Sequence, residues 1–76
     1  MLRGKYRTKF EVLIDELTSI FTDDDISREI RVKAGRLSMD ILDDLIYLDE
    51  HRMDQGTIIS VFRAYHQEQM DIYKQI

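Results

Sequence analysis

Apolar residues recur along this chain at intervals of three and four and do not alternate. Tyr6, Phe10, Leu13, Leu17 and Ile20 form one such row. Ile26, Ile30, Ala34, Leu37, Ile41, Leu45 and Leu48 form a second, and Ile58, Phe62, Tyr65, Ile72 and Ile76 a third. Steps of three and four bring side chains onto one face of a helix, whereas a half-buried strand alternates every second residue. The pattern predicts an all-α chain with helices near residues 5–21, 26–51 and 57–75.

The joints follow from residue chemistry. Thr22-Asp23-Asp24-Asp25 can accept hydrogen bonds from free N–H groups and suits the positive end of a helix dipole, so helix 2 is expected to begin near Ile26. Its apolar row passes Gly35 in register. That predicts one continuous helix with a neighbour packed closely at Gly35; a break there, giving four helices, is the alternative. Met53-Asp54-Gln55-Gly56 reads as the second turn, with Gly56 at positive φ near the end of helix 2 and Thr57 capping helix 3. No proline forces a kink. Short connections favour antiparallel neighbours, hence a small up-down-up bundle.

Length and composition narrow the setting. Seventy-six residues fit a single helical domain, residues 1–76, with a basic N-terminal end at residues 1–9. A core this small is marginal, and such domains are often reinforced by disulfides, a metal or self-association. The chain has no cysteine, which removes disulfides, thiolate zinc sites and thiol catalysis and suits a reducing compartment. The opening MLRGKYRTKF is not followed by the apolar run of an export signal, and the longest apolar run, residues 45–48, is bounded by acids on both sides. The expectation is a cytoplasmic protein with no membrane partner.

No catalytic, cofactor or metal site is read from the sequence. Helical metal sites need ligands three or four residues apart, and neither His51 nor His66 has such a set in register. Asp43 and Asp44 are sequence neighbours that diverge by about 100° on a helix. There is no glycine-rich phosphate loop. The chain is read as a non-enzyme.

Charge is unevenly placed. Residues 1–9 carry +4 through Arg3, Lys5, Arg7 and Lys9, which leaves −8 on the remainder of a chain whose net charge is −4. A second basic cluster is Arg28, Arg31, Lys33 and Arg36, and residues 40–54 are the most acidic stretch. With Tyr6 and Phe10 interleaved, these cations are the candidate contacts of a nucleic-acid-binding regulator, the alternative function. The same N-terminal cations could instead pair with the acidic surface at 40–54. Residues 33–41, Lys-Ala-Gly-Arg-Leu-Ser-Met-Asp-Ile, are similar to the turn of bacterial helix-turn-helix repressors. They depart from it by an extra residue between Gly35 and Ser38, and Asp40, Asp43 and Asp44 would set a recognition helix against phosphate.

The leading expectation is a protein–protein interaction module acting as a regulator, inhibitor or adaptor of another protein. Its candidate partner-binding residues are Ile58, Phe62, Tyr65, Gln69, Met70, Ile72 and Tyr73 on helix 3. The seam at 58, 62, 65, 69, 72 and 76 steps like a heptad, and Gln69 is placed as a buried polar residue that sets register in a coiled coil. A homodimer through helix 3 and an overhanging part of helix 2 follows from the apolar surplus.

Overall fold

The computed structural model describes residues 4–76 and comprises three α-helices: α1 (Gly4–Phe21), α2 (Arg28–Glu50) and α3 (Gln55–Tyr73). The described residues contain no strand. Arg3, one of the expected basic contacts, lies outside them.

The first two expected rows become buried stripes, whereas the third is buried only in part and its last residue, Ile76, is exposed. α1 buries Phe10, Leu13, Leu17 and Ile20, and α2 buries Ala34, Leu37, Ile41, Leu45 and Leu48. α3 buries only Gln69 and Ile72, while Ile58, Val61, Phe62 and Tyr65 pack half-buried over the core. Phe62 meets Phe10 edge-on at a centroid distance of 5.4 Å. Full burial of a side chain as large as Phe10 contributes about 2–3 kcal/mol, so α1 and α2 together supply most of the apolar stabilisation. The molecule extends 39 × 18 × 16 Å with a radius of gyration of 12.8 Å.

α2 runs unbroken through Gly35, so the four-helix alternative does not occur. A Cβ at Gly35 would lie 2.5 Å from Cδ1 of Phe21, whose ring covers that point of the helix. The glycine is there because a ring from α1 needs its space.

The boundaries at the two joints differ from the expected ones, each for a local reason, and α3 ends at Tyr73, two residues early. α2 begins at Arg28, and its cap is Ser27, whose hydroxyl accepts from the Ile30 N–H at 3.5 Å. Asp23 instead closes a turn by accepting from the Asp25 N–H at 2.9 Å, and Ile26 packs against the core ahead of the helix. α3 is capped by Asp54 and not by Thr57; the Asp54 carboxylate accepts from the Thr57 N–H at 2.8 Å, a bond that lowers its pKa. Gly56 therefore lies inside the first turn of α3, and no glycine has a positive φ. The left-handed residue that ends α2 is Arg52, at φ 49°.

Candidate interaction surface

The heptad-like row of α3 is used within the bundle. Ile72 is 6% exposed and Gln69 2% exposed, while Ile58, Phe62 and Tyr65 are partly buried on the core. Of the seven expected contacts, Met70 and Tyr73 stand exposed, beside Val12 on an open groove of about 330 Å³ between α1 and α3.

Gln69 donates from Nε2 to the Tyr73 hydroxyl at 3.1 Å, and that hydroxyl reaches Glu16 on α1 at 3.5 Å. Burial, then the neighbouring Glu16 carboxylate, push the Tyr73 phenol above its ordinary pKa. On the other flank the Tyr65 hydroxyl donates to the carboxylate of Asp44 on α2. Burial is the larger cause, and the Asp44 bond the next, of a strongly raised Tyr65 phenol. Two tyrosines thus tie α3 to its neighbours at the rims of the core.

The basic residues do not form one surface. Arg7 stands 3.7 Å from Asp49 near the end of α2, whereas the 28–36 cluster lies at the start of that helix, so the two groups sit toward opposite ends of the molecule. Most have acidic or aromatic neighbours. Arg7 also approaches Glu11 at 3.7 Å, Arg31 approaches Asp24 at 3.5 Å, and Lys33 approaches Glu29 at 3.9 Å. Lys5 and Lys9 lie over the Tyr6 ring at 5.9 and 5.2 Å, and Lys9 also over Phe62 at 5.6 Å. Arg28 and Arg36 point outward from α2.

One exposed apolar surface among the described residues is one that periodicity reasoning missed. Val32, Met39, Leu42 and Ile46 are between 38% and 60% exposed and, with Gly35, step three-four-three-four along the outer side of α2. The half-exposed ring of Phe21 extends this strip onto α1 across Gly35, where an open groove of about 570 Å³ runs between the two helices. A second heptad row, 32-35-39-42-46, was present in the sequence; the stronger inner row on the same helix masked it.

His51 stacks on Tyr47 at 3.9 Å, and His66 lies parallel to Phe62 at 5.9 Å. Among the described residues no group of three or more His, Asp or Glu side chains comes together that could hold a metal ion, and no helix is long and apolar enough to cross a membrane. No protein-family model, curated protein or solved structure matches this chain.

Proposed function

We propose that this chain is a non-enzymatic protein-interaction module, a single up-down-up three-helix domain that regulates, inhibits or adapts another polypeptide. The proximity of Arg7 to Asp49, of Phe21 to Gly35 and of Lys33 to Gln75 supports the antiparallel arrangement. The observation that carries the functional reading is the outer strip of α2 with Phe21. The inner row already closes the core, so Val32, Met39, Leu42 and Ile46 have no packing role that explains their apolar character, and the outer half of the Phe21 ring joins them. Contiguous apolar strips rimmed by charge are what protein interfaces use. Met70 and Tyr73 offer a smaller second contact. Zero cysteine suits a cytoplasmic setting.

The nucleic-acid reading draws no comparable support, because its two cationic groups are separated and partly paired with acids. Affinity purification from the native cell, with and without nuclease, tests the choice. The expected result is a stoichiometric, nuclease-resistant protein that Met39→Asp releases. Recovery of nuclease-sensitive material alone, lost on changing Lys5, Arg7 and Lys9, would overturn it.

A further inference from the structure

We infer that the outer face of α2 pairs with the same face of a second copy of this chain, antiparallel and about a two-fold axis at Met39. This rests on the interaction-module reading, in which the outer strip of α2 is the contact surface, and adds self-pairing as a contact that another polypeptide must displace. At about 100° per residue, Arg28, Val32, Met39, Ile46 and Glu50 fall within about 20° of one line along the helix. Their order is self-complementary. Arg28 and Glu50 each lie eleven residues from Met39, and Val32 and Ile46 each lie seven. A two-fold axis through Met39 therefore sets Arg28 against Glu50 of the other copy and Val32 against Ile46, with like facing unlike at both ends. Such an isologous contact uses one patch twice and closes at two subunits.

The flanks match as well. A two-fold axis perpendicular to both helices keeps each flank of one strip beside the same flank of the other. On one flank are Arg36, three residues before Met39, and Asp43, four after it, so each arginine meets the other copy's aspartate. On the opposite flank is Gly35 with the Phe21 ring over it, and Leu42 of the second copy faces that ring. Arg28, Arg36, Asp43 and Glu50 are all exposed, and within the described residues none has an ion pair.

Two residues of this line also oppose their own helix. α2 opens Arg28-Glu29, so its first turn carries both signs, and it has no basic residue in its last turn, which ends at Glu50. A helix favours anions at its N-terminus and cations at its C-terminus. Antiparallel pairing lays Arg28 of each α2 over Glu50 of the other, which offsets the placement of these two residues. Complementarity of this kind selects register and orientation more than it adds affinity. The strip is about 33 Å long and one helix wide, so the dimer is small and depends on concentration.

Sedimentation equilibrium of the whole chain, from about 10 to about 500 µM, reads the association directly. The expected mass rises with concentration from 9.1 kDa toward twice that value. Arg36→Glu or Asp43→Arg alone weakens association by about fivefold or more, and the double exchange restores it, because each new pair forms between copies. The cysteine-free background allows a geometric check. Met39→Cys should form a disulfide-linked dimer under mild oxidation, whereas Met70→Cys on α3 should not. Circular dichroism confirms that each variant keeps its helices. A constant 9.1 kDa mass, or a dimer trapped by Met70→Cys and not by Met39→Cys, overturns the inference. A constant monomer that still loses a nuclease-resistant partner on Met39→Asp overturns self-pairing alone and leaves the interaction-module reading standing. A constant monomer without such a partner overturns both.

Discussion

The ring of Phe21 occupies the space that a side chain at Gly35 would need, with Cδ1 2.5 Å from the position of the missing Cβ. Two opposing effects meet there. Alanine in mid-helix is favoured over glycine by about 1 kcal/mol, but here it would displace a ring that is half-buried on the glycine. Gly35→Ala alone should therefore change stability little. In a Phe21→Ala background the steric objection is gone, and the same substitution should stabilise by about 1 kcal/mol. Urea denaturation of the four proteins in this cycle measures the coupling, and additive effects would contradict the contact.

Ile72 and Val32 separate core from surface. Ile72 is 6% exposed, and a carboxylate there has no buried partner, so Ile72→Asp should cost several kcal/mol and abolish the helical signal of so small a domain. Val32 is 38% exposed, and Val32→Asp should stay within about 0.5 kcal/mol in dilute protein. Thermal circular dichroism at low concentration distinguishes them.

The tyrosine bonds give the fold an alkaline limit. Burial and the Asp44 carboxylate raise the Tyr65 phenol above its ordinary value of 10.0, and Tyr73 is raised in the same direction by burial and Glu16. Above about pH 10 the unfolded chain ionises these phenols first, while the folded chain keeps its protons. Their contribution is thus full below that pH and is lost as pH rises toward the folded-state values. Tyr65→Phe should lower stability by about 1–2 kcal/mol near neutrality and lose less on going to about pH 11. Denaturant titrations at the two pH values test the sign.

Arg52 holds a left-handed backbone at φ 49° just past the end of α2. Non-glycine residues are strained there by about 1–2 kcal/mol, part of which glycine returns through its larger unfolded-state entropy. Arg52→Gly should raise the midpoint of thermal unfolding by a few degrees. A fall would mean that the arginine side chain contributes more than the strain costs.

The three helices were legible because each turns one row of apolar residues toward the core, fully buried in α1 and α2 and partly in α3, and such a row reports helical spacing whatever covers it. For the same reason the α3 row could be read two ways. Ile58, Phe62, Tyr65, Gln69 and Ile72 carry the spacing of a coiled coil, yet that spacing does not say whether the opposing helix belongs to the same chain. Here it does, and Gln69 bonds to Tyr73 of its own helix. Caps were less legible because Asp54 and Thr57, or Asp25 and Ser27, are equally competent acceptors. Which one bonds depends on where the first turn closes, a matter of chain direction and not of residue type. The outer strip of α2 was written at the same period as the inner row and in weaker residues, with a glycine in its middle.

Ile72 is the one apolar side chain of α3 that is fully buried; Ile58, Val61, Phe62 and Tyr65 lie half-buried over the core, and the edges are fastened by Tyr65 to Asp44, Tyr73 to Glu16 and, just past the end of the helix, Lys33 to Gln75. Such a helix behaves as a cover that can lift while the α1–α2 pair beneath it persists. Its amides should exchange with solvent sooner than those of Leu17 or Ile41, in one cooperative block ending near Asp54. Alkali weakens the two tyrosine fastenings before it touches the hydrocarbon contacts, so the cover should open first on that side of the pH scale. What lies under it is the inner face of α1 and α2, whose exposure would give the protein a second, transient apolar surface facing away from the permanent one.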